Sequence, residues 1–188
     1  MNICWRVITT RTERCSANEP ITAKASWYTK LNPNARIPTI DDDGFVMWES
    51  AAINLYLAKK YKSPLWPATQ QGEGRALQWG FFMHNDVEPP MLQVFHNRVQ
   101  RPPEQRDAKL ADDGEARLQP KLAVLEAALT AAPYLGGDRW DMSDFMVASI
   151  AYTMTASKID LAKYPRFGSW LAASQQRPAF KEAWKFRE

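Results

Sequence analysis

The chain has 188 residues, 45% of them hydrophobic and eight of them tryptophan, which is enough for one ordinary domain or two small ones and excludes a disordered tail or linker. Its formal net charge is +3, with 24 basic residues scattered among 21 acids, so no basic block marks a nucleic-acid partner. Cys4 and Cys15 lack CxxC spacing, no apolar run approaches the ~18 residues of a membrane span, and MNICWRVITT lacks a signal peptide's apolar stretch; the chain reads as soluble, cytoplasmic, and without a disulfide framework or zinc site.

Taken in chain order, Ile3 to Thr10 is β-branched and reads as extended. A polar loop follows, then a short helix near Ala23 to Leu31. The segment NPNARIPTIDDDGFVMWES, residues 32–50, clusters Ile37, Ile40, Phe45, Val46, Met47 and Trp48 around Asp43-Gly44. That dipeptide is a two-residue hairpin signal, because a type I′ turn needs positive φ twice. Pro38 opens the first strand of the hairpin, where a proline loses no ladder hydrogen bond, and the peptide before it is trans or, less often, cis. ESAAINLYLAKKY puts Ile53, Tyr56, Leu57 and Tyr61 at helical spacing, with Lys59, Lys60 and Lys62 favourable at its C-terminal end. KSPLWPATQQGEG then breaks the periodicity with two prolines and two glycines, which places a domain boundary between about Lys62 and Gly74 and predicts domains 1–65 and 73–188.

Beyond the boundary the pattern is helical. GRALQWGFFMHNDVEPPMLQVFHNRV predicts a long helix with a kink or break at Pro89-Pro90, ended by Pro102-Pro103. From about Glu104 to Leu129, the residues Leu118, Leu122, Leu125 and Leu129 form one buried stripe, weakened locally by Gly114 and Pro120. DMSDFMVASIAYTMTAS is apolar on nearly all faces, as expected of a helix at the centre of a bundle. Asp141 can cap its first N–H groups, Asp144 at the third helical position can reach back, and Trp140 against Phe145 can form a hydrophobic staple. PRFGSWLAASQQ and RPAFKEAWKF, each begun near a proline, complete the bundle. Asp41, Asp42 and Asp43 at a hairpin tip read as turn chemistry on a solvated surface, and His84 and His96 as packing or surface residues, so no metal is expected.

A small α/β domain carrying PTIDDDGFVMWES, followed by an all-helical domain whose central helix is doubly capped within PYLGGDRWDMSDFMVASI, resembles the glutathione transferase family over almost the whole chain. The resemblance implies a thioredoxin-like N-terminal domain, a helical-bundle C-terminal domain, and conjugation of the glutathione thiolate to a hydrophobic electrophile, a detoxifying reaction. It implies a cis bond before Pro38, which turns the Ile37 backbone outward to pair with the cysteinyl backbone of glutathione as a short added strand. It assigns Glu49 to the γ-glutamyl ammonium, Ser50 and the N–H groups opening the next helix to its carboxylate, and Arg36 to the glycyl carboxylate. A helix N-terminus favours such an anion on physical grounds alone. Trp79, Phe82 and Met83, with Phe81, would line the pocket for the electrophile, although core packing explains them equally well. A homodimer is implied, with the helix beginning near Arg75 and the hairpin domain at its interface.

The sequence departs from the family at its start. Aligned backward from the hairpin, CWRVITT falls on the family's second strand, so roughly 20 to 25 residues, a first strand and helix, are expected to be missing. The family's thiol-activating Ser, Tyr or Cys would lie there. That strand is central in the family's sheet, and its loss leaves backbone groups unpaired unless the N-terminal segment or another chain fills the place. If NICWRVITT took that place, Cys15 or Ser16 would stand where the activating residue belongs, but between Ser16 and Leu31 there are too few residues for a first helix, a second strand and a second helix. The competing expectation is a catalytically weak or silent module of the same fold that binds a ligand or a protein.

Overall fold

The computed structural model describes residues 24–185 and the backbone of residues 6–8. These residues form two compact units, one ending at Ser63 and the other beginning at Pro64.

The first unit contains β1 (Arg6–Ile8), α1 (Ser26–Leu31), β2 (Thr39–Asp42), β3 (Phe45–Trp48) and α2 (Ser50–Lys60). The strands make a sheet in the order β1-β2-β3 with both pairs antiparallel. The hairpin turns on Asp43 and Gly44, at φ 52° and 90°, which is the left-handed backbone that the Asp-Gly signal demands. The Asp41 carboxylate accepts from the Gly44 N–H at 2.8 Å and closes that turn. β1 lies along β2 with Arg6 opposite Asp41 and Ile8 opposite Thr39, so at these residues the N-terminal segment supplies the partner that β2 needs.

The three consecutive acids have separate tasks. Asp41 serves the turn, while the nearly buried Asp42 accepts from the Tyr56 hydroxyl and pairs with the Lys60 ammonium, tying β2 to α2. Lys60, then Tyr56, hold the Asp42 carboxyl below its ordinary value, and Asp42 in turn raises both partners. A depressed folded-state value means a contribution that is full above the ordinary carboxylate value of 3.8 and is lost as pH falls through the depressed one. Asp42→Asn is therefore expected to lower the thermal midpoint at pH 7, with the gap to wild type closing as melts are repeated below ~pH 4. A gap independent of pH would show that the carboxylate charge is not what ties the strand to the helix.

The second unit contains α3 (Gln70–Phe82), α4 (Glu88–Phe95), α5 (Ala108–Ala131), α6 (Met142–Ala156), α7 (Pro165–Gln175) and α8 (Pro178–Trp184). α3 starts earlier than the glycines suggest, because the Thr69 hydroxyl accepts from the Gly72 N–H at 3.1 Å and caps it. Pro89 and Pro90 do not break the path. They fall in the first turn of α4, directly after a π-helical turn at Met83–Val87, so the missing N–H groups lie where a helix has least need of them. Gly114 and Pro120 both lie inside α5. A Cβ at Gly114 would stand 2.9 Å from the Pro90 carbonyl oxygen, so glycine is what lets α4 and α5 approach.

Met83, Val87, Met91, Val94, Leu118, Leu122, Leu125, Val147, Ala151, Met154 and Phe167 form the buried core of this unit. α6 supplies its centre, and its start has the double cap. Asp141 accepts from the Ser143 N–H at 2.8 Å, Asp144 accepts from the Asp141 N–H at 3.2 Å, and Trp140 packs edge-on against Phe145. Asp144 also accepts from the N–H groups of Leu135 and Gly136 and from the Trp170 indole. Burial pushes its carboxyl above the ordinary carboxylate value, and these four donors pull against that shift. Among the described residues no helix is long and apolar enough to cross a membrane.

Candidate functional site

The residues singled out between Arg36 and Ser50 all lie in the first unit, on the loop entering β2 and on the start of α2. The peptide joining Ile37 to Pro38 is cis. Ile37 is 54% exposed, and among the described residues its backbone N–H and C=O have no hydrogen-bond partner. An unpaired pair of backbone groups next to a strand can pair with an extended peptide. The Arg36 side chain is exposed beside it, with no carboxylate paired to it among the described residues.

The loop is held from beneath by three buried polar side chains that sequence reasoning did not single out. The Tyr28 hydroxyl donates to the Arg36 carbonyl at 2.7 Å and shares a 2.8 Å hydrogen bond with the Thr39 hydroxyl. The Asn32 amide donates to the same Arg36 carbonyl at 2.7 Å and to Thr39 at 3.2 Å. Its oxygen accepts from the Asn34 N–H at 2.9 Å, an Asx turn. That turn was the available signal, since Asn-Pro-Asn is turn chemistry, but nothing local announces that Asn32 and Tyr28 aim at one carbonyl.

At the other side stand Glu49 and Ser50. The first bond inside α2 runs from the Ile53 N–H to the Glu49 carbonyl at 2.9 Å, which leaves the N–H groups of Ser50, Ala51 and Ala52 without an intrahelical acceptor. The first turn holds no acid, and Lys59 and Lys60 close the helix, so its N-terminus is open to an anion. Glu49 does not cap the helix. Its carboxylate is exposed, touched by the Asn34 amide at 3.4 Å. Its backbone sits at φ 76° and ψ 110°, a conformation that costs a non-glycine residue about 1–3 kcal/mol and clusters at ligand sites. The geometry can take up a zwitterion: a carboxylate for a cation, and a hydroxyl with free N–H groups for an anion.

The family description of the glutathione S-transferase N-terminal domain matches residues 4–60, and that of the C-terminal domain matches residues 103–173. Together they cover more than half of the chain. The chain belongs to the glutathione S-transferase family. It is similar to glutathione S-transferase GstB of Escherichia coli K12, 26% identical over 155 residues that make up 81% of this chain and 74% of that protein. Among solved structures it is similar to the theta class glutathione S-transferase of Xanthomonas axonopodis pv. citri with glutathione bound. There the identity is 29%, the TM-score 0.80, and the coverage 85% of this chain and 77% of that one. Ure2p5 of Phanerochaete chrysosporium, cocrystallized with 1-(S-glutathionyl)-2,4-dinitrobenzene, is 29% identical with a TM-score of 0.76, over 85% of this chain and 78% of that one. The fold is accordingly the glutathione transferase fold, a thioredoxin-like α/β unit followed by an all-helical one.

The remaining site candidates of this family member are placed differently. Trp79 and Met83 are buried in the core of the helical unit, where packing accounts for them, and Phe82 packs against that core half-buried. Phe81 points outward instead, 64% exposed. Cys15 and Ser16 lie outside the described residues, as does Cys4. His84 pairs with Glu88 one turn on, His96 packs on Phe95, and among the described residues no group of three His, Cys, Asp or Glu side chains converges.

Proposed function

We propose that this protein binds glutathione through the loop entering β2 and the start of α2, and transfers it to a hydrophobic electrophile. The observation that carries the reading is the pairing of an open backbone receptor at Ile37 with the Glu49 carboxylate and the N-terminus of α2, which no side chain caps. The γ-glutamyl ammonium goes to Glu49, its carboxylate to Ser50 and the free N–H groups, the cysteinyl backbone to Ile37 beside Pro38, and the glycyl carboxylate to Arg36. The thiol gives its proton to water, its sulfur forms a bond to an electrophilic carbon, and the leaving group departs with its electron pair. Only the thiolate is a useful nucleophile. Lowering the thiol pKa by ~2 units stabilises the anion by about 2.7 kcal/mol, the task of a donor aimed at sulfur, a role open to Cys15 or Ser16 only if the N-terminal segment takes the place of the family's first strand.

A calorimetric titration of the 188-residue chain with glutathione, followed by a turnover assay with 1-chloro-2,4-dinitrobenzene, tests the reading. Saturable binding and formation of the arene conjugate are expected. Binding without turnover would reduce the protein to a glutathione-binding module, and no binding would remove the reading altogether. The conjugate found with Ure2p5 supports the choice of electrophile.

The protein is also proposed to form a homodimer. Leu77 and Phe81, 42% and 64% exposed, stand one turn apart on α3, and an exposed apolar stripe on a helix is covered most simply by a second copy of itself. A mass of two chains in light scattering is the expected result.

A further inference from the structure

We infer that Asn32 is a positioning residue that couples the two halves of the glutathione site; the inference rests on the glutathione reading above. Four of its contacts lead there. The Asn32 amide donates to the Arg36 carbonyl, which fixes the peptide plane directly before Ile37, and to the Thr39 hydroxyl at the start of β2. Its own oxygen accepts from the Asn34 N–H, and its carbonyl accepts from the Ala35 N–H at 3.0 Å. Ala35 is thereby held at φ 53°, a left-handed conformation that alanine adopts only under constraint. The turn aims the Asn34 side chain at Glu49, whose carboxylate it meets at 3.4 Å.

Asn32 is 1% exposed and its donors and acceptor are all engaged within this loop, so it does not itself reach a ligand. One buried amide thus orients the backbone receptor for the cysteinyl segment on one side and the acid for the ammonium on the other. A buried network whose members are all satisfied has a single low-energy arrangement, which is how such groups rigidify a site. Tyr28 acts in the same network at the same carbonyl.

The test is calorimetric titration of the full chain with two ligands, glutathione and glutaryl-cysteinylglycine, which lacks only the α-ammonium. Asn32→Ala is expected to weaken glutaryl-cysteinylglycine by about tenfold and glutathione by about thirtyfold, since it releases the backbone receptor that both ligands use and the acid that only glutathione uses. Asn34→Ala, at an exposed position, is expected to weaken glutathione by about threefold and leave glutaryl-cysteinylglycine unchanged. Thr39→Val is expected to weaken both and Thr39→Ser to restore both, with circular dichroism melts confirming that each variant is folded. Should Asn32→Ala fail to fold, the Asn34 and Thr39 variants decide. Unchanged affinities in the folded Asn32 or Thr39→Val variants would overturn the inference while leaving the glutathione reading intact, and equal weakening of both ligands by Asn34→Ala would remove the route through Glu49. A wild-type chain that binds neither ligand would overturn the reading and the inference together.

Discussion

Replacing Asp144 by alanine is expected to leave the helical unit unfolded or close to it. The carboxylate is fully buried and accepts from four N–H groups, those of Leu135, Gly136, Asp141 and the Trp170 indole, at 2.8 to 3.2 Å. Alanine removes every acceptor while the donors stay inside. Each stranded donor costs about 1–3 kcal/mol, so the sum, about 4 kcal/mol or more even with partial relaxation, is a large share of a total stability of roughly 5–15 kcal/mol. Asparagine is nearly isosteric and still expected to fare badly. Whichever way its amide turns, an NH2 group faces N–H donors, because Oδ1 receives Leu135 and Trp170 while Oδ2 receives Gly136 and Asp141. Thermal or urea unfolding followed by tryptophan fluorescence checks this. An Asp144→Asn midpoint matching wild type would show that the carboxylate's charge and full acceptor count are not needed.

The second large effect is expected on binding. Glu49→Ala removes the carboxylate proposed to receive the γ-glutamyl ammonium, and hydrogen bonds to charged groups are worth about 1.5–3 kcal/mol, so glutathione affinity is expected to fall by roughly 10- to 150-fold. The lower end of that range is the better guide, because the carboxylate is exposed and water screens it. Ser50→Ala is expected to do less. It removes one hydroxyl while the free N–H groups of Ser50, Ala51 and Ala52 and the helix dipole continue to hold the carboxylate. The double variant should lose measurable binding. Folding is not at stake in either change, since both side chains are exposed and neither caps the helix. Calorimetry that shows Ser50→Ala as the more damaging of the two would mean that the hydroxyl, not the acid, carries recognition of the γ-glutamyl end.

These two sites differ in how much of them could be read before the fold was known. At α6 the signals are local. Asp141, Asp144, Trp140 and Phe145 lie within one and a half turns, and the steric and hydrogen-bonding demands of a helix start act over that range. The hairpin at Asp43-Gly44 was legible for the same reason, because two consecutive positive φ angles restrict residue choice on the spot. The open start of α2 was legible as well, since a helix N-terminus has N–H groups without an intrahelical acceptor wherever it occurs.

What escaped the sequence is what depends on distant residues arriving at one point. The fourth donor to Asp144 comes from Trp170, 26 positions away, and only the packing of α7 against α6 brings it there. Tyr28, Asn32 and Thr39 read as a helix residue, a turn residue and a strand residue, and the convergence of Tyr28 and Asn32 on the Arg36 carbonyl and the Thr39 hydroxyl follows from α1 folding back beneath β2. α3 began before the glycines because a cap at Thr69 outweighs the modest helix penalty of Gly72 and Gly74. Pattern and propensity determined where this chain turns, caps and buries its stripes, since those choices are settled by atoms within about a turn of one another. Which buried polar groups meet, and therefore what orients Ile37 and Glu49, was decided by tertiary packing alone, because a hydrogen bond between distant elements exists only when the core has placed both partners within about 3 Å.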